Sequence, residues 1–186
     1  MTTHVILLRG VNVGGNNKVP MADLRARLAD DGFTRVRTYI QSGNVLVDAA
    51  RTTPAKVADR VATSIREAFA VDVPVIVVDV PGLQRVFDEN PYPDESDHKR
   101  LHAIFLPAEP DADARVRLDA LNTQYAGTAS GDSTTLIGTT LYLHTPGGFG
   151  TSDLAKALTT KGKLASLNGT ARNWATVTTL LAMGLE

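Results

Sequence analysis

Residues 4–49 read HVILLRGVNVGGNNKVPMADLRARLADDGFTRVRTYIQSGNVLVDA, and the fold class is decided here. HVILLR (4–9) is short, apolar and β-rich, the pattern of a buried strand. A glycine- and asparagine-rich loop follows, and Pro20 suits the first turn of a helix. Met21, Leu24 and Leu28 recur at i, i+3 and i+7, and Gly32 ends the helix. FTRVRTYI (33–40) alternates, with Val36, Thr38 and Ile40 on one face and Arg35, Arg37 and Tyr39 on the other. That predicts a half-exposed strand. QSG then turns the chain into the strand NVLVD.

Working outward, Pro54 opens a helix whose apolar stripe is Val57, Val61, Ile65 and Phe69. PVIVVD (74–79) reads as a strand. The order β-α-β-β-α-β is the split βαβ, or ferredoxin-like, unit. A short helix is expected at 81–89, then a loop, NPYPDESDHK. LHAIFL (101–106) is a strand, 111–122 a helix, and TTLIG and TTLYLHT are two strands joined at Gly138. PGGFGTS (146–152) is a second glycine-rich loop, and Ser152 or Thr151 can cap a helix carrying Leu154 and Leu158. A last helix is expected over about residues 171–183. The second half thus repeats β-α-β-β-α with no residue-level repeat. The expected fold is α+β: two ferredoxin-like, βαββα-type halves with mainly antiparallel sheets and a C-terminal helix. The halves are placed at 1–90 and 91–186. One larger sheet shared by both is the alternative.

Composition narrows the function classes. The 186 residues include no cysteine, which excludes disulfide scaffolds, thiolate metal sites and cysteine nucleophiles. Net charge is −1, so the whole chain is no basic nucleic-acid binder. The charge is uneven, at +4 over residues 1–60, −7 over 61–132 and +2 over 133–186. Basic ends that met in space would make a positive surface. No apolar run approaches a membrane span, and MTTHVILLRG lacks a secretory signal, so a cytoplasmic protein with no membrane partner is expected. No oligomeric state is indicated.

The first candidate site is Arg9 through Lys18. Strand, glycine loop and helix start occur in that order, which presents backbone N–H groups to an anion. Arg9 and Lys18 add charge, Asn12, Asn16 and Asn17 add amide donors, and Gly14 and Gly15 expose the backbone. It is neither a phosphate loop of the Walker kind nor a dinucleotide fingerprint, and no cofactor is expected. The alternative is a turn whose glycines supply positive φ. Gln41, Ser42, Gly43 and Asn44 form a second candidate, or a plain turn. In an antiparallel register this segment is expected at the opposite end from the C-terminus of the first strand, and otherwise beside it; the sequence leaves both open. Arg172, Asn173 and Trp174 form a third. Thr170 is read as the cap of the last helix, Arg172 and Asn173 as its first turn, and Trp174, Val177 and Leu181 as its packed face. An arginine in a first turn points to a ligand or a buried ion pair.

Four weaker groups remain. Pro146–Ser152 with Lys156 repeats the loop-to-helix arrangement, or is a flexible turn. Arg35, Arg37 and Tyr39 suggest an RNA-reading face, but the associated motif is absent and a solvated face is favoured. Asp94, Glu95, Asp97 and His98 match no calcium loop and read as an acidic surface. His4, His102 and His144 read as isolated structural histidines.

LLRGVNVGGNNKVPMADLRARL, GFTRVRTYIQSGNVLVDA, NPYP and TARNWATVTTLL together resemble the bacterial family filed as domain of unknown function 1697. The resemblance spans about residues 4–182 and implies a cytoplasmic α/β protein of two ferredoxin-like halves, with no activity attached. The family's recurrent positions fall here on Arg9, Asn12, Gly14, Gly15, Lys18, Gln41, Ser42, Gly43, Asn44, Asn90, Pro91, Arg172, Asn173 and Trp174. Ala171 departs from it, since a threonine is expected there. The expected function is binding of an anionic or phosphate-bearing ligand, a nucleotide, small metabolite or RNA, where Gly10–Lys18 meets Arg172–Trp174. The alternatives are an enzyme with these cations as an oxyanion clamp and Asp48, His144 or His98 as base, or a protein-interaction scaffold.

Overall fold

The computed structural model describes residues 1–50, 52–125, 130–159 and 167–186. The chain divides into two compact units: Met1–Arg85 with Thr179–Glu186, and Val86–Thr178. Each holds one four-stranded antiparallel sheet, so the chain is α+β with two separate sheets rather than one shared. Six α-helices lie among the described residues.

In the first unit β1 (Thr2–Leu8), α1 (Met21–Asp30), β2 (Thr34–Tyr39), β3 (Asn44–Ala49), α2 (Pro54–Phe69) and β4 (Val75–Asp79) follow the expected order. The sheet runs β2-β3-β1-β4. Strand alternation places Ile6, Leu8, Val45 and Val47 on one face, where they pack on Leu24 and Leu28 of α1 and Val57, Val61 and Ile65 of α2. Each such side chain, fully buried, contributes about 1.5–3 kcal/mol. Local chemistry sets the helix ends. Thr53 Oγ1 accepts the Lys56 N–H at the start of α2, with Pro54 next in line. Gly32, at φ 87°, lets its own N–H and that of Phe33 return to Ala29 O and Leu28 O at the end of α1.

Two expectations fail in this unit. Thr34 pairs with Asp48, but Arg37 pairs with Leu46, so β2 carries one extra residue. Arg35 takes it up at φ 47°. The simple alternation of Arg35, Arg37 and Tyr39 is therefore broken. Arg35 lies 3.5 Å from Asp48, Arg37 Nη1 donates to Glu186 Oε2 at 2.8 Å, and Ile40 leaves the strand. The second failure concerns β3. Antiparallel pairing sets Leu7 opposite Asn44, so Gln41–Asn44 lies beside the C-terminal end of β1, not at the far end.

In the second unit α3 (Val80–Asp88) leads in from the first. Then come β5 (Leu101–Phe105), α4 (Ala112–Tyr125), β6 (Ser133–Ile137), β7 (Thr140–His144), α5 (Asp153–Thr159), β8 (Thr170–Asn173) and α6 (Trp174–Leu185), whose residues from Thr179 onward belong to the first unit. The sheet order β6-β7-β5-β8 repeats that of the first unit. Ile104, Leu141 and Leu143 pack on Leu118 and Leu121 of α4 and Leu154 and Leu158 of α5. The correction here is β8. Residues 170–173 are not the start of the last helix but a strand paired to β5, with Arg172 opposite Ala103. Four residues are too few to show a period, and β8 is held by its neighbour. The helix starts at Trp174, and Asn173 Oδ1, not Thr170, accepts the Thr176 N–H as its cap. Between α4 and the start of β6 the glycine-, serine- and aspartate-rich stretch GTASGDS (127–133) reads as a loop, and part of it lies outside the described residues.

Gly43 is where the first sheet's ends fit closest. It stands at φ 77°, and a Cβ there would lie 2.6 Å from Leu8 Cβ and 2.7 Å from Val11 Cγ2. Gly14, also at positive φ, has open space around it. Gly43→Ala is expected to cost about 2–4 kcal/mol and Gly14→Ala about 1 kcal/mol, read by urea unfolding. Equal costs would show that the close approach is not what fixes residue 43.

Candidate functional site

The loop after β1 is a small hairpin built by its amides. Asn16 N–H returns to Val13 O at 3.1 Å, and Gly14 and Gly15 between them stand at φ 58° and 80°, the primed turn that suits a hairpin. Asn12 N–H reaches Asn17 O at 3.2 Å, and Asn17 Nδ2 donates to Gly10 O at 3.1 Å. Asn12 is the foot of the loop. Its Nδ2 donates to Val19 O and Gln41 O, each at 2.9 Å, and its Oδ1 accepts the Val19 N–H at 2.9 Å. Gly10, Asn12 and Asn17 also stand at positive φ, which glycine and asparagine tolerate.

The second candidate segment is brought against this loop. Leu8 N–H donates to Gly43 O at 2.8 Å, and the Asn12–Gln41 bond closes the other side. Asn44 is fully buried, and its Nδ2 donates to Tyr39 O and Ser42 Oγ. Between them Ile40 is held at φ 49° and is 54% exposed. A β-branched residue in that region is strained by about 1–3 kcal/mol. The amides of Asn12, Asn17 and Asn44 thus shape the site from within. Gly14, Gly15, Asn16, Lys18, Gln41 and Ser42 are exposed, with Arg9 half-buried beside them. Neither Arg9–Pro20 nor Tyr39–Asn44 contains an aspartate or glutamate, so both segments offer donors and cations alone.

The third candidate belongs to the second unit. Arg172 is buried, and its Nη1 donates to Thr170 Oγ1 at 2.7 Å and Ala171 O at 2.8 Å. Burial pushes its guanidinium down to about 10. Trp174 stacks on Phe87 with ring centres 5.9 Å apart and leans on Tyr142 at 6.3 Å. Tyr142 Oη donates to Val86 O, and burial raises its phenol. With Asn173 capping α6, all three residues have structural duties here.

The remaining groups sort by their partners. Ser152 Oγ caps α5 by accepting the Ala155 N–H and donates to buried Asp132 at 2.6 Å, while Lys156 pairs with Asp153. Asp48, proposed above as a base, is buried and accepts from Thr3 Oγ1 at 2.7 Å. It lies opposite Thr3, four residues down β1 from Leu7, about 13 Å from the loop end. His98 is exposed on its loop. His144, read above as isolated, is not. Its Nε2 lies 2.8 Å from Glu95 Oε2, and its ring stacks on Tyr92. The clue was NPYP, which the resemblance marks but periodicity does not explain. No group of three histidine, aspartate or glutamate side chains among the described residues is placed to hold a metal. No helix among them is long and apolar enough to cross a membrane.

Two histidines, His4 buried and His102 partly buried, make the fold acid-sensitive. Both ring nitrogens of His4 lack a hydrogen-bond partner, and burial lowers its pKa against the opposing pull of Asp79 and Asp48. His102 stacks on Phe149 at 4.2 Å, and burial lowers it to about 4. A lowered histidine binds protons better unfolded than folded, so stability is full above pH 6.5 and falls between there and about 4. Carboxylates held below their usual range, Asp31 by Arg27 and Glu95 by His144, stay ionised across pH 7 to 5 and add nothing there. Urea unfolding is expected to show lower stability at pH 5 than at 7, with a smaller difference in His102→Leu. An unchanged difference would remove His102 from the account. A second expectation concerns the loop: Asn12→Ala is expected to cost about 2 kcal/mol and to speed exchange of the Val19 amide, whose acceptor it deletes.

The family model described as a protein of unknown function (DUF1697) matches residues 1–135. It includes both loops of the first unit and ends before Arg172. No curated protein matches the chain. Among solved structures, a conserved bacterial protein from Streptococcus pneumoniae is similar, at 21% identity and a TM-score of 0.70, with 98% of each chain covered. At that identity the likeness is one of fold.

Proposed function

The chain belongs to the DUF1697 family of proteins of unknown function, and from that premise we propose that it binds a phosphate-bearing ligand at the loops Arg9–Lys18 and Gln41–Asn44. One observation carries this. The two segments converge at the end of β1, joined by the Asn12–Gln41 and Leu8–Gly43 bonds; the first carries Arg9 and Lys18, and neither contains an aspartate or glutamate. Phosphate suits such a donor set, because cations and fixed amides satisfy several oxygens at once. Internal bonding of the asparagines supports the same reading, since a loop ordered before binding loses less entropy on binding. Lys18, Asn16, Gln41 and Ser42 are the side chains that reach outward, with the Gly14–Gly15 backbone between them. Arg172, Asn173 and Trp174 are left out, because their side chains hold β8 and α6.

The β-α-β-β-α-β order and sheet order β2-β3-β1-β4, repeated as β6-β7-β5-β8, support reading each unit as ferredoxin-like. A cytoplasmic location, and a nucleotide, phosphorylated metabolite or RNA as the bearer of the phosphate, belong to the same proposal.

Thermal unfolding in the presence of inorganic phosphate, nucleoside mono- and triphosphates and a short RNA tests it. A ligand at about 100 times its dissociation constant adds roughly 2.7 kcal/mol, a rise of about 5–10 °C at this chain length. That rise is expected with one class of probe and is expected to vanish in Arg9→Ala/Lys18→Ala. The double variant's own midpoint should stay within about 3 °C of the parent's. An equal rise in the double variant, or no rise with any probe, would overturn the proposal.

A further inference from the structure

Pro91–Arg100 connects α3 to β5 with no regular structure, and eight of its ten residues are exposed. The two that turn inward, Tyr92 and Glu95, both rest on His144 at the end of β7. The Tyr92 ring stacks on the imidazole with centres 4.9 Å apart, and Glu95 Oε2 lies 2.8 Å from Nε2. We propose that this segment is a strap locked by His144, closing when the imidazole takes a proton and loosening when it loses it.

The sequence builds the strap stiff. Pro91 and Pro93 flank Tyr92 and fix their own φ. Asn90 Oδ1 accepts the Tyr92 N–H at 3.0 Å, a local turn that presents the ring. The phenol reaches the edge strand β6, accepting from Ser133 Oγ at 3.1 Å and lying 3.2 Å from Thr135 Oγ1. At its far end, Arg100 O accepts the Thr145 N–H at 2.8 Å. Toward the same end His98 O accepts the Trp174 N–H at 3.2 Å, so 98–100 is tied by backbone, while Tyr92–Glu95 is held by side chains, with His144 between its ring and its carboxylate.

One proton strengthens both middle ties. Protonated, Nε2–H and the carboxylate make a charge-assisted bond. The same charge under the Tyr92 ring adds a cation–π attraction. Neutral imidazole keeps a weaker bond in one tautomer and loses it in the other. Imidazoles as a class change charge between pH 5 and 8. The surrounding charges leave this control to His144. Glu95 is held below the usual carboxylate range by His144, the Asp97 N–H and Arg100, so it stays ionised through that window. Arg100 is itself 3.4 Å from Asp97, and the residues opposite His144 across the sheet, Ser133 and Leu101, are uncharged. Opening uncovers the imidazole together with the Ser133 and Thr135 hydroxyls.

Hydrogen exchange of the full chain, followed by NMR, reads the strap directly. The Glu95 N–H is bonded to Tyr92 O and the Asp97 N–H to Glu95 Oε1, so both report closure. After correction for intrinsic rates, their protection at pH 5.5 is expected to exceed that at pH 8 by at least threefold. The Leu143 amide, in β7 opposite His102, should instead lose protection at pH 5.5 along with the sheet, opposite in sign to the strap. Glu95→Gln and His144→Gln are each expected to abolish the difference. Glu95→Gln alone decides the matter if His144→Gln does not fold, because its side chain leaves the β7 backbone untouched. Equal protection at the two pH values in the parent, or a difference that survives in Glu95→Gln, would overturn the proposal.

Discussion

The antiparallel pairing of β1 with β3 is the constraint on which the first unit depends. It sets Leu7 opposite Asn44, and from that register the loop after β1 and the turn before β3 must emerge side by side. Gly43 lets the two chains close to a distance at which any side chain would meet Leu8 and Val11. A shift of one residue would turn every side chain of β3 to the other face and pull Val45 and Val47 from the core. The candidate site is thus a by-product of core packing: the hydrophobic face fixes the register, and the register assembles the loops.

Amide side chains then do locally what the sheet does globally. Asn12 satisfies both backbone groups of Val19 and the Gln41 carbonyl, and Asn44 holds the turn around Ile40. Loops carry backbone groups that no ladder pairs, and a short amide supplies both a donor and an acceptor. The same economy appears in the second unit, where Asn173 caps α6 and Ser152 caps α5. There the sheet order repeats, yet the polar residues differ, and a His144–Glu95–Tyr92 cluster stands on β7. Equivalent backbones carry different chemistry because strand pairing constrains apolar positions far more than loop and edge residues.

The order of elements was legible because its signals are local. Met21, Leu24 and Leu28 sit on one helix face, and Gly32 stops that helix, within a dozen residues. Val57, Val61 and Ile65 did the same for α2. Where the local signal was weak, the reading slipped. β8 has four residues and no period, and only its pairing with β5 makes it a strand. In β2 the alternation looked regular, but a one-residue bulge at Arg35 removed it. Arg172 pointed to a ligand or a buried ion pair, and strand placement buries it beside Thr170.

By itself, the sequence determined an α+β chain of two similar halves, the faces of its main helices and the turn character of its glycine loops. Each of these follows from spacing over a few residues, where side-chain periodicity and φ preference act directly. Tertiary structure alone decided that Gln41 meets Asn12, 29 residues away, and that Glu95 meets His144, 49 residues away. It also decided that Arg172 is buried while Lys18 is exposed. Those outcomes depend on which strands pair and in what register. Register is set by the combined burial of residues distant in the chain, so no local window of sequence contains it.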